Sequence, residues 1–176
     1  IGEYHFDLNQ LEQASEAYES SLTRDSRFFD KALYKFAWTQ YRMDNFDRAI
    51  EQFKRLIEYS DKEEARTGKS GSVLRAEAVQ YAAISLSEED WDLDGITDDV
   101  CGLERAKQYL SEGKPYEREV LAQLAEYLFE SERYFVATDI LQYALEQFPM
   151  DALNPELHEQ LVLSLFRSDR MDEAFA

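Results

Sequence analysis

Residues 30–53 read DKALYKFAWTQYRMDNFDRAIEQF, and this stretch decides the fold. Large apolar residues recur at helical spacing on both sides of the turn sequence Asp44-Asn45. A small residue stands on the apolar face of each half, Ala37 before the turn and Ala49 after it. Because two helices approach closely only where a small residue faces a large one, the stretch predicts a tightly packed antiparallel helix pair.

The same pattern returns along most of the chain. A second clear copy runs from Leu121 to Pro149, with Ala125 and Ala137 at the small positions. Both copies resemble the tetratricopeptide repeat, whose period is about 34 residues. The second-helix alanines are separated by 35, 57, 31 and 37 residues, and they are Ala14, Ala49, Ala106, Ala137 and Ala174. An ordinary helical bundle with accidental periodicity is the alternative, but it would not return to that spacing three times.

The resemblance implies an all-α fold, a right-handed α-solenoid of antiparallel helix pairs in one array. Five units are expected, at residues 1–29, 30–63, 76–115, 118–151 and 155–176. The long interval is explained by two polar inserts, 61–75 and 90–101, which we expect to be loops. The chain opens without methionine and stops inside a helical pattern, so we expect it to be a fragment of a longer protein.

Two helix boundaries carry clear local signals. Gly113-Lys114-Pro115 is typical of a helix end, with glycine as the left-handed cap and proline preventing continuation. Asn154-Pro155 is typical of a helix start, with asparagine at the N-cap and proline in the first turn.

Composition excludes several classes of function. The net charge of −18 argues against nucleic acid and against an anionic membrane surface, because both are bound by clustered lysine and arginine. A basic protein or peptide suits such a surface better. We find no run of apolar residues long enough to insert into a membrane, and one cysteine allows no internal disulfide.

The second insert holds the most specific local motif. Residues 90–99, the aspartate loop, read DWDLDGITDD and place carboxylates at alternate positions before a glycine that permits a sharp turn. Oxygen ligands in this number favour Ca²⁺ over Zn²⁺. The loop resembles those of EF-hands and thrombospondin type 3 repeats, and the predicted ligands are Asp90, Asp92, Asp94, the carbonyl of Ile96, and Asp98.

One position departs from the EF-hand pattern. Cys101 stands where an EF-hand supplies a bidentate glutamate, so only modest affinity is expected, with Asp99 or Glu104 as substitutes. The alternative is that the aspartates are turn formers on an exposed loop. Weak sites fill at the millimolar calcium found outside cells, which favours the periplasm or cell surface.

The resemblance also implies a partner-binding groove lined by the first helix of each repeat. Carried onto this sequence, its positions are Lys31, Tyr34, Trp38, Tyr41, Glu77, Gln80, Ile84, Glu119, Glu126 and Phe129. Exposed aromatic residues are frequent anchors of protein interfaces. The alternative is that Tyr34 and Trp38 pack against the neighbouring repeat.

No catalytic motif is recognisable, so we expect a non-enzymatic scaffold for a protein or peptide. Thr67-Gly68-Lys69-Ser70 lacks the first glycine and the preceding strand of a phosphate-binding loop. Residues 28–43 resemble repeat proteins of Gram-negative envelopes that accompany outer-membrane assembly and motility machinery. Two alternatives stay open: a calcium-responsive regulatory module, and the docking arm of an enzyme whose catalytic domain lies elsewhere.

Overall fold

The protein is all-α. The computed structural model describes residues 1–22, 28–170 and 172–173, and over these ranges it contains nine helices packed in sequential pairs and no strand. This arrangement agrees with the predicted tetratricopeptide-like array. The helices are α1 Gly2–Asp7, α2 Leu11–Ser21, α3 Phe29–Arg42, α4 Phe46–Thr67, α5 Arg75–Ser87, α6 Gly102–Tyr109, α7 Pro115–Glu130, α8 Tyr134–Gln147 and α9 Asn154–Arg167.

The chain forms two compact units, and unit 1 comprises residues 1–85. In unit 1, α2 packs against α1 and α3, and α3 packs against α4. The turn between α3 and α4 contains Asp44 with a left-handed φ of 57°, a conformation that aspartate tolerates better than most residues. Ala14, Ala37 and Ala49 are fully buried, as predicted for the small residues at helix crossings.

Unit 2 comprises residues 86–176. In this unit α8 packs against α6, α7 and α9. Ala106, Ala125 and Ala137 are buried, so the predicted small positions are confirmed here as well. The motif formed by Met171 and Ala174 in the last predicted repeat lies outside the described residues.

Three local predictions differ from the structure. Helix α4 continues to Thr67, so the predicted insert 61–75 is helical over its first half rather than a loop. Gly113 has the expected left-handed φ of 72°, but it lies beyond the end of α6, and its N–H donates to the buried carboxylate of Glu117. Asn154 does not cap α9, because its side-chain amide donates to the carbonyl of Phe148 instead.

None of the described helices is both long and apolar enough to cross a membrane.

Candidate binding surfaces and an acidic loop

Helix α3 places three of the predicted groove residues beside one another in unit 1, namely Tyr34, Trp38 and Tyr41. The indole Nε1 of Trp38 donates to the hydroxyl of Tyr34 at 2.6 Å, and that hydroxyl donates to Glu77 on α5, also at 2.6 Å. Burial and the hydrogen bond to Glu77 raise the pKa of Tyr34, so the phenol stays protonated at physiological pH. The chain of donors holds the indole ring in one orientation.

The Trp38 ring packs on two further aromatic rings. Its centroid lies 4.4 Å from that of Tyr81 on α5 and 5.5 Å from that of Tyr41. Trp38 nevertheless stays only half-buried. Trp38 therefore packs against the neighbouring helix and is also partly accessible to solvent. The two alternatives for this side chain do not exclude each other.

An open hollow of about 370 Å³ lies on the exposed side of this cluster. We call it the aromatic hollow, and it is lined by Phe6, Tyr34, Lys35, Trp38 and Arg42. Lys35 Nζ lies 5.0 Å from the centroid of the Phe6 ring, and the Arg42 guanidinium lies 4.7 Å from it. Each cation also has a polar partner from the N-terminal region, Glu3 for Lys35 and Asn9 for Arg42.

Sequence reasoning missed part of this hollow. Arg42 follows Trp38 by one helical turn, so helical spacing was a signal that could have identified it. Phe6 lies on α1, and no spacing in the sequence connects it to the residues of α3. Three other predicted groove residues of unit 1 do not line the hollow: Lys31 is exposed near the Phe28 ring, Gln80 is exposed, and Ile84 is half-buried.

A second cavity, of about 300 Å³, lies within unit 2 between α7, α8 and α9. We call it the acidic pocket. Its lining residues are Ala125, Glu126, Phe129, Glu130, Leu141, Gln160, Leu163 and Ser164. Two predicted groove residues, Glu126 and Phe129, belong to it, whereas the half-buried Glu119 does not.

Among the residues that the structure describes, two buried polar atoms of the acidic pocket have no hydrogen-bond partner. They are the hydroxyl oxygen of Ser164 and the amide oxygen Oε1 of Gln160. Ser164 is completely buried as a residue. Because most buried polar atoms in proteins are hydrogen-bonded, these two are exceptions that a bound molecule or water would satisfy.

The aspartate loop gathers three carboxylates at one point. Oxygen atoms of Asp90, Asp92 and Asp94 lie within 4.8 Å of one another. The loop turns at Gly95, whose φ of 84° is accessible to glycine at little cost. Backbone N–H groups within the loop donate to all three carboxylates. This placement allows, without requiring, a bound cation.

The structure gives the predicted ligand Asp98 other partners, and the carbonyl of Ile96 stays a predicted ligand. Asp98 lies outside the group of three, and its carboxylate accepts hydrogen bonds from the Trp91 N–H and from the guanidinium of Arg105 on α6. Arg105 also stacks on Trp91, 3.4 Å from the ring centroid. The side chain of Ile96 is exposed. Asp98 therefore joins the loop to α6.

Cys101 stands at the twelfth position of the loop, where an EF-hand supplies a carboxylate. Burial, together with the negative charges of Glu89 and Glu104, raises the pKa of its thiol. The twelfth position of the loop therefore holds a thiol that stays protonated at neutral pH when no metal is bound.

The comparison with known families identifies one repeat. Residues 30–63 match the tetratricopeptide repeat, in the same place as the predicted second unit. This repeat comprises α3 and most of α4, and α3 carries Tyr34, Trp38 and Tyr41. No curated protein matches the chain. The repeat implies a module for protein–protein interaction.

Proposed function

We propose that this chain is a scaffold that binds a protein partner through the aromatic hollow and the groove residues around it. The observation that supports the proposal is the placement of Trp38, which is hydrogen-bonded to Tyr34, packed against Tyr81 and only half-buried on the first helix of the matched repeat. A rigid, amphipathic aromatic side chain loses little conformational entropy when a partner covers it, which makes it an effective anchor.

Charge variants test this surface without disturbing its core. Arg42 and Arg48 are both exposed and both paired with a side chain of unit 1, but only Arg42 lines the hollow. Arg42→Glu is expected to weaken capture of partners from a lysate of the source cells, and Arg48→Glu is the matched control. Equal capture by both variants and by the unaltered chain would remove the aromatic hollow from the proposal.

Trp38→Ala provides the second arm of the test. Loss of an anchoring aromatic side chain costs about 2 kcal/mol or more of binding free energy. Since Trp38 also packs on Tyr81, circular dichroism must first establish that the variant keeps its helical content. Tyr41→Ala is expected to have a similar but smaller effect, because this ring contacts Trp38 rather than lining the hollow.

A calcium-responsive module is the second candidate function. It is supported by the convergence of Asp90, Asp92 and Asp94, and by the Asp98–Arg105 pair that connects the loop to α6. The carbonyl of Ile96 and water complete the proposed shell. A cation would offset repulsion in the loop and thereby stabilise the folded chain by mass action.

Calorimetry in calcium tests the second candidate. Heat of binding is expected for the unaltered chain and not for Asp92→Asn/Asp94→Asn. The matched control is Asp44→Asn/Asp47→Asn, which removes the same charge from two exposed positions of unit 1, one in the turn before α4 and one in the first turn of that helix. Absence of heat up to about 10 mM Ca²⁺, beyond the range of weak extracellular sites, would reduce the loop to an acidic turn.

A location in the bacterial envelope, as part of an outer-membrane or motility assembly, completes the proposal. Its support is the compatibility of a modest-affinity calcium loop with millimolar extracellular calcium. Fractionation of the source cells, with detection of the native protein, tests the location directly. Recovery in the cytoplasmic fraction alone would overturn it.

A further inference from the structure

We propose that the acidic pocket takes a bulky apolar side chain of a peptide that carries lysine or arginine beside it. The inference rests on the proposed scaffold function and adds the chemistry of the partner. The site lies wholly within unit 2 and shares no residue with the aromatic hollow.

The apolar part of the pocket sets the first requirement. Ala125 and Leu141 form a buried floor, and Phe129 and Leu163 form partly exposed walls. The volume of about 300 Å³ lies at the lower end of the range for ligand pockets. This volume suits one bulky side chain with its flanking backbone, rather than a whole helix.

The charged rim sets the second requirement. Glu126 and Glu130 lie one helical turn apart on α7, and both are exposed. Two like charges at this spacing repel each other, so an approaching cation is favoured by both. The described lining residues include no lysine or arginine, and the chain as a whole carries a charge of −18. An acidic peptide would be repelled at the same place.

The unpartnered polar atoms set the third requirement and are independent of the charge. The Ser164 hydroxyl and the Gln160 amide oxygen are buried in the pocket, and neither has a hydrogen-bond partner within the described part of the chain. Both oxygens accept hydrogen bonds, and peptide N–H groups beside an inserted side chain donate them. An apolar molecule without donors would leave these atoms unsatisfied, which is why a peptide fits better than a lipid or hydrocarbon chain.

The test uses capped synthetic peptides and the purified chain. The probe is a seven-residue peptide with one central phenylalanine between two lysines, and binding is followed by NMR shifts of the backbone amides. Shifts are expected at Gln160 and Ser164. Two comparison peptides replace the lysines by glutamates or the phenylalanine by alanine, and both are expected to bind at least about tenfold more weakly.

Adjacent residues of α9 provide a matched pair of variants. Leu163 and Val162 are 49% and 47% exposed, but only Leu163 lines the pocket. Leu163→Gln is expected to weaken binding of the lysine–phenylalanine peptide about tenfold, and Val162→Gln to leave it unchanged. Glu126→Gln/Glu130→Gln is expected to weaken binding roughly two- to tenfold and to reduce its dependence on salt.

Three results would overturn the inference. The first is that the lysine–phenylalanine peptide does not bind at concentrations up to about 10 mM. The second is that the glutamate peptide binds equally well. The third is a concentration-dependent self-association of the chain that Leu163→Gln removes. The last result would assign the pocket to a second copy of the chain. If the peptides fail while capture of the native partner still depends on Arg42, the acidic pocket inference falls and the scaffold proposal stands.

Discussion

The aromatic hollow and the acidic pocket differ in charge and in hydrogen bonding, although the first helix of a predicted repeat contributes to each. In unit 1 the rim is cationic, with Lys35 and Arg42 over Phe6, and Trp38 and Tyr34 are joined by a hydrogen bond. In unit 2 the rim is anionic, and two buried oxygens have no hydrogen-bond partner in the described ranges. A cavity therefore lies beside the first helix of a repeat in each unit, and the residues that line it determine which chemistry an occupant needs.

The largest expected effect comes from the core beneath each cavity. Phe53 and Leu141 occupy equivalent repeat positions, and both are buried. Phe53→Ala is expected to lower the free energy of unfolding by about 3–5 kcal/mol and Leu141→Ala by about 2–5 kcal/mol, measured by urea denaturation. The exposed Phe135→Ala is the control and should change it by less than about 0.5 kcal/mol.

The two substitutions should differ in their effect on binding. Phe53 contacts the rings of Tyr34 and Tyr81, so its loss is expected to disturb the aromatic hollow. Leu141→Ala instead enlarges the floor of the acidic pocket. Loss of peptide binding at the acidic pocket on Phe53→Ala, in a variant that remains folded, would contradict the separation of the two surfaces.

Overpacking the helix crossings should have the next largest effect. Ala49 and Ala137 are fully buried, one in each unit. Ala49→Leu and Ala137→Leu are each expected to cost about 1–3 kcal/mol of unfolding free energy, because the added atoms force neighbouring side chains out of place. Thermal denaturation compares the two variants. If either variant is as stable as the unaltered chain, that helix crossing contains unfilled space that the repeat packing does not predict.

A third prediction compares the hydrogen bonding of the two cavities. Tyr34→Phe removes the acceptor of the Trp38 indole and is expected to cost about 0.5–1.5 kcal/mol of unfolding free energy. Ser164→Ala removes a buried hydroxyl that has no hydrogen-bond partner among the described residues, so it should be neutral or slightly stabilising. Urea denaturation measures both. A clear loss of stability on Ser164→Ala would show that this hydroxyl is already satisfied in solution.

The smallest effect comes from tyrosine ionisation, which changes the stability at alkaline pH and not at neutral pH. Burial raises the pKa of Tyr34 in unit 1 and of Tyr143 in unit 2. The unfolded chain ionises its tyrosines near pH 10, so the folded state binds more protons above that value. The contribution of these two tyrosines to the free energy of unfolding is therefore fully present below about pH 10, and it is lost as the pH rises further. Thermal denaturation between about pH 9 and 11 should show this loss, and Tyr34→Phe or Tyr143→Phe should reduce it.

Local sequence determined the helices and their small positions, because helical periodicity and residue size act between neighbours along the chain. The alanines at the crossings and the turn at Asp44 were predictable on this basis, and both are present. The end of α4 was less predictable, since the polar residues up to Thr67 are compatible with either a helix or a loop.

Tertiary structure decided which residues line the cavities and which partners the polar groups have. Phe6 reaches the aromatic hollow from a separate helix, and Gln160 and Ser164 reach the acidic pocket from α9. Asp98 has the spacing of a cation ligand but bonds to Arg105. The physical reason is that helical spacing determines only which side chains share a face of one helix. The charge, burial and hydrogen-bond partners of a site depend on the side chains that other helices bring to it.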